Sequence, residues 1–177
     1  MNMQKPATPA ELQTDQPVRP PLKRIKCLLP LWGYAYVRQF LDVGLPTWLA
    51  RGNLPALAAE LPTEFVLLTS REDEVYLRAH PGFARLCAVC ETSVHYVDHL
   101  ITGNNYSTTI TLAYTEAIRA VGNEMTDTCF LFLVSDYVVA DGSFKSLLTR
   151  MQADQMPYSN APRLDLQPHE VPCRVDP

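Results

Sequence analysis

Between residues 24 and 150 the chain alternates short apolar runs of strand length with longer segments of helical spacing, and no other feature restricts its fold as tightly. The runs are "IKCLLPL" (25–31), "EFVLLTS" (64–70), "SVHYVDHL" (93–100) and "TCFLFLVS" (128–135). Between them, "YAYVRQFLDVGLPTWLA" sets Val37, Phe40, Leu41, Leu45 and Trp48 at helical spacing, with Gly44 and Pro46 expected to bend or divide it. "LPALAAEL" continues as helix, and "REDEVYLRAHPGFARLC" is helical with an interruption at Pro81. The best helix is "STTITLAYTEAIRAVG", whose stripe is Ile110, Ala113, Tyr114, Ala117, Ile118 and Val121, capped by Ser107 or Thr108 and ended by Gly122. Ser143 opens a last helix with Phe144, Leu147, Leu148 and Met151 facing inward. Strands that alternate with helices need crossover connections, and near-continuous apolar strands fit a sheet with both faces covered. The expected fold class is therefore α/β: a three-layer, Rossmann-like, mostly parallel sheet with helices on both faces.

Proline sets the limits of this unit. Residues 6, 9, 17, 20 and 21 are proline, as are 157, 162, 168, 172 and 177, which leaves only five of the 15 for everything between. Proline lacks an amide donor, so the reading is an extended tail over 1–22, one domain over 23–155 and a second extended tail over 156–177. No apolar run nears the length of a membrane span and the start has no secretory pattern, so a cytoplasmic chain is expected. A net charge of -4 gives no electrostatic footprint for nucleic acid. Of the five cysteines, Cys27 and Cys129 fall in core strands as reduced thiols, and Cys87-Ala-Val-Cys90 lacks the second pair that a zinc site needs. A structural role is expected for them.

In an open parallel sheet, ligands bind beyond the carboxyl ends of the strands. The first strand exits into Pro30-Leu31-Trp32-Gly33 and the second into Thr69-Ser70-Arg71-Glu72-Asp73. The third exits into Asp98-His99, and the fourth into Ser135-Asp136-Tyr137 and on to Asp141. Carboxylates at one edge repel unless a cation joins them, and Mg²⁺ or Mn²⁺ commonly takes one or two carboxylates plus substrate phosphates. No GxGxxG or GxxxxGK[ST] loop follows any strand, which argues against a dinucleotide cofactor and against a P-loop NTPase. Each residue also has a plainer reading. Asp136 can simply start a turn, Asp141-Gly142-Ser143 can be a turn and cap, and Glu72 and Asp73 can serve a helix's first turn. Trp32 can be core, and Asp98 and His99 a surface loop.

The order of these residues resembles the nucleotide-binding half of GT-A-fold glycosyltransferases of the large family 2 type, over roughly residues 24–150. "KRIKCLLPLWG" resembles that family's first strand and its base-contacting loop, and "EFVLLTSREDE" its second strand with an acidic, hydroxyl-rich turn. "TLAYTEAIRAVG…DTCFLFLVSDYVVADGSFKSLL" resembles the helix, the strand ending in the DxD motif and the next helix. The resemblance implies that Pro30, Trp32, Ser70, Glu72 and Asp73 line a nucleoside pocket. It further implies that Asp136, with Ser135 beside it, holds a divalent cation (Mn or Mg) bridging the diphosphate of a nucleotide-sugar donor. Sugar would pass to an unidentified sugar or lipid acceptor, as in a hexosyltransferase. The family's Asp-x-Asp stands here as Ser135-Asp136-Tyr137. The later half, which in the family carries acceptor recognition and the base, is expected to be missing, with His169 and Glu170 the only titratable candidates in the tail. The alternatives are an inactive, truncated nucleotide-binding relative and a different α/β interaction module. A receiver domain is disfavoured, because Trp-Gly and His stand where its acids belong.

Overall fold

The computed structural model describes residues 22–152 apart from Asn104; the two expected tails, with His169 and Glu170, lie outside the described residues. Four strands, β1 (Arg24–Pro30), β2 (Thr63–Thr69), β3 (Glu91–Tyr96) and β4 (Thr128–Phe132), form one sheet in the order β3-β2-β1-β4, with every pair parallel. The helices are α1 (Tyr34–Gln39), α2 (Leu45–Trp48), α3 (Leu54–Glu60), α4 (Arg71–Ala79), α5 (Pro81–Val89), α6 (Tyr106–Arg119) and α7 (Ser143–Gln152). This is the α/β class that the alternation of patterns implies. No helix of the described residues is long and apolar enough to cross a membrane.

The sheet has two unequal faces. Cys27, Leu29, Phe65 and Leu67 point into a large core with Phe40, Trp48, Leu57 and Leu86 from the helices that link β1 to β2 and β2 to β3. Leu28, Val66 and Leu68 point the other way, onto Ala113 and Ala117 of α6. The chain steps from β1 to β3 in one direction and then crosses to β4 in the other. A constant hand of crossover therefore sends α6 to the opposite face. The strand order reverses between β1 and β4, and their carboxyl ends flank the crevice where such folds take ligands.

Several boundaries differ from the sequence expectation for identifiable reasons. The first strand is 24–30 rather than 25–31. The third runs 91–96 rather than 93–100, because Asp98–Leu100 turn into a short 3₁₀ segment. The fourth stops at Phe132 rather than Ser135, although the Leu133 N–H still bonds to Leu28 O at 2.9 Å. The segment from Tyr34 is divided near Gly44 and Pro46 as expected, through a π turn over Phe40–Gly44 in which the Leu45 N–H reaches back to Phe40 O. Pro46 has no N–H to give and its ring would crowd the Asp42 carbonyl, so the wider turn absorbs it. α6 begins at Tyr106, with Asn105 rather than Ser107 or Thr108 in the capping position and no side-chain bond to the backbone there. Gly122, at φ 63°, opens a 3₁₀ segment rather than closing α6.

Candidate functional site

The exit from β2 is an internally bonded cap. Ser70 Oγ accepts the Asp73 N–H at 3.1 Å, and the Ser70 hydroxyl donates to Asp73 Oδ2 at 2.5 Å. The Gly33 N–H donates to the same oxygen at 2.8 Å, across from the β1 exit. Asp73 is only 6 % exposed, so its carboxylate anchors the two loops to each other. The resemblance implies that Ser70 and Asp73 line a nucleoside pocket; in the fold they cap α4 and tie the β2 exit to the β1 exit. Glu72, next to them, is exposed.

The exit from β1 turns inward. Pro30 is buried and paired with Leu68. Trp32 is 9 % exposed and packs with Leu28 and Val97 on the α6 side, so its plainer, core reading holds for most of the ring. The Trp32 ring also meets Tyr106 at a centroid distance of 4.6 Å, and Tyr36 stands 5.8 Å from Tyr106. Tyr106 and Tyr36 are 40 % and 48 % exposed, so the aromatic group extends from core to solvent. Burial raises the Tyr106 phenol above its ordinary range, and the neighbouring Tyr36 and the Asp136 carboxylate raise it further. The phenol therefore stays protonated at neutral pH beside the acid.

The exit from β4 has no regular structure, yet it is tied down along its length. The Tyr114 hydroxyl donates to Leu133 O at 2.6 Å and the Trp48 indole to Tyr137 O at 3.0 Å. The Val139 N–H donates to Thr47 Oγ1 at 3.2 Å. Asn53, fully buried, donates to Thr47 O (2.9 Å) and Ala140 O (3.1 Å) and accepts the Phe144 N–H at 3.1 Å. Asp141 accepts the Gly52 N–H at 2.7 Å, and a Cβ on Gly52 would come within 2.5 Å of Gly142 backbone atoms. α2 and the α2–α3 loop thus form the frame that holds the β4 exit, with Ser135 and Asp136 on it. Sequence reasoning missed Thr47, Gly52 and Asn53 because their partners lie far along the chain; Asn53 before Leu54-Pro55 carried the one local hint, a helix-start pattern.

The acids expected to converge are therefore divided. Asp73 holds Gly33, Asp98 accepts the Arg71 N–H (3.1 and 3.3 Å), and Asp141 holds Gly52. Asp136 is exposed and makes no hydrogen bond among the described residues. Among those residues no set of three His, Cys, Asp or Glu side chains could hold a metal ion. The donor set fits a hard cation only if phosphate oxygens complete its shell, since one carboxylate alone is too few.

Two adjoining cavities, of about 280 and about 200 Å³, open between the π turn, α4 and α5, and neither is lined by Asp136 or Trp32. The acid they share, Asp42, already faces His80 (3.3 Å) and Arg38 (3.4 Å). His80 Nδ1 accepts the Gly82 N–H at 3.1 Å, so both ring nitrogens are engaged. Cys27 and Cys129 are buried in their strands as expected and Cys90 is buried too, whereas Cys87 is exposed and Cys173 lies outside the described residues. Burial pushes the Cys90 and Cys129 thiols up to about 11 and raises Cys27 as well. No protein-family model, curated protein or solved structure matches this chain.

Proposed function

We propose that the crevice between β1 and β4 binds a nucleotide-diphosphate sugar through a divalent cation, Mn or Mg, and that the chain is a GT-A-like glycosyltransferase. The observation that carries this reading is the contrast among the acids: within the described residues, Asp136 alone of the four strand-exit aspartates is exposed with no donor bonded to its carboxylate. Asp136, with Ser135 beside it, would hold the cation. When bound, that ion would neutralise charge on the departing diphosphate. The Tyr36–Tyr106–Trp32 group supplies aromatic faces next to it, suited to a nucleoside, and the protonated Tyr106 phenol offers a donor. Glu72 stands exposed at the second strand's exit, beside the cap that Ser70 and Asp73 build.

The test is thermal: UDP- or GDP-sugar with Mn²⁺ should raise the Tm, and Asp136→Ala should abolish the rise. No shift with any nucleotide sugar, with or without metal, would favour an α/β interaction module instead. A second reading, binding without turnover, has support of its own. Both ring nitrogens of His80 are engaged, one with Asp42 and one with the Gly82 N–H, so this histidine has no free lone pair to take the proton of an acceptor hydroxyl. Hydrolysis of the bound donor, or transfer to an added sugar or lipid acceptor, would exclude that second reading.

A further inference from the structure

The two cavities beside the π turn have an apolar floor. Val37, Leu41 and Leu45 line them and are each no more than 5 % exposed, and Leu41 belongs to both. π turns are rare and often lie at functional sites, and this one gives Leu41 and Asp42 to each cavity. Their volumes together fall within the roughly 300–1,000 Å³ that small-molecule sites occupy. The two ends differ. Tyr34 and Tyr76 line only the larger cavity, where they are exposed and meet edge to face at 5.0 Å. Arg85 lines only the smaller one.

Charge sits at the exposed rim, on Arg38, Asp42 and Arg85. Asp42 is shared between Arg38 Nε at 3.4 Å and His80 Nε2 at 3.3 Å. His80 Nδ1 accepts the Gly82 N–H, so it keeps its lone pair and the ring proton sits on Nε2, facing Asp42. The ring therefore adds no charge, and Arg38 and Asp42 offset each other. Arg85 forms no ion pair among the described residues, so the lining is left with one uncompensated cation.

We propose that these cavities form a second ligand site, apart from the crevice at Asp136, and that it takes a small aromatic monocarboxylate. The ring lies against Tyr34 and Tyr76, the chain crosses Leu41, and the carboxylate meets the Arg85 guanidinium, whose planar fork matches two carboxylate oxygens. One negative charge balances the one cation left over. An amine would add a second cation to the lining, and a dianion would leave a charge unmatched beside Asp42.

Isothermal titration calorimetry of the full chain with phenylbutyrate, phenylbutanol and phenylbutylamine is the test. The acid should bind most tightly, then the alcohol, then the amine. Arg85→Gln, at an exposed position, should weaken the acid about tenfold or more, the loss of one charge-assisted contact, and leave the alcohol unchanged. Arg85→Glu should reverse the order of acid and amine. Ala79→Trp, which sets an indole into the larger cavity from the exposed end of α4, should weaken all three. Asp136→Ala should alter none of them, whatever it does to nucleotide-sugar binding. Failure of the acid to bind at millimolar concentration overturns the proposal. So does an alcohol that binds as tightly as the acid, an acid affinity indifferent to Arg85→Gln, or one lost in Asp136→Ala.

Discussion

The exits of β2 and β4 both end in an aspartate after a hydroxyl residue or close to one, and the fold treats them in opposite ways. At β2 the Ser70–Asp73 pair caps a helix and is closed by the Gly33 amide, so the acid is buried and its function is architectural. At β4 the loop is braced from behind by Thr47, Trp48, Gly52 and Asn53, and the acid it carries is left to solvent. A carboxylate's role is thus decided by whether a backbone donor reaches it first.

The sharpest way to break this comparison is to remove the brace. Asn53→Ala leaves the Phe144 N–H and two carbonyls without their partner in a buried site, and should cost about 3 kcal/mol in urea-unfolding stability. A loss below about 1 kcal/mol would mean the β4 loop does not depend on it. Asp73→Ala removes the cap partner and the Gly33 anchor together and should cost about 2 kcal/mol. Asp73→Asn keeps an acceptor oxygen and should recover part of that, measured in the same way.

Tyr114 connects α6 to the start of the β4 loop, and burial pushes its phenol up to about 12. A tyrosine whose folded value lies above the ordinary one near 10 stabilises the fold fully below about pH 10. That contribution is lost as pH rises through the folded value. Tyr114→Phe should therefore lower stability by about 1 kcal/mol near neutral pH and flatten the alkaline decline, read from melting curves at stepped pH. Smallest of all should be Asp136→Asn, within about 0.5 kcal/mol of the parent in urea unfolding, as expected for an exposed side chain. Its effect should appear only as loss of the nucleotide-sugar and metal shift in Tm. A large destabilisation would show that Asp136, like Asp73, is structural.

Much of the architecture was legible because local patterns carry it. The apolar runs of β1 and β2 are nearly buried throughout, as covered parallel strands must be. Phe144, Leu148 and Met151 face the core at the helical spacing that predicted it. The division near Pro46 followed from proline's missing amide, while the π turn that accommodates it depends on the packing around Phe40.

What the chain's own order determined, then, is the alternation, the parallel sheet and the position of one acidic turn at the end of an apolar strand, because these arise from periodicity within a few residues. Which aspartate stays free was decided only in three dimensions. The donors that occupy Asp73 and Asp141 sit 40 and 89 residues away along the chain, and only packing brings a backbone N–H within reach of either carboxylate.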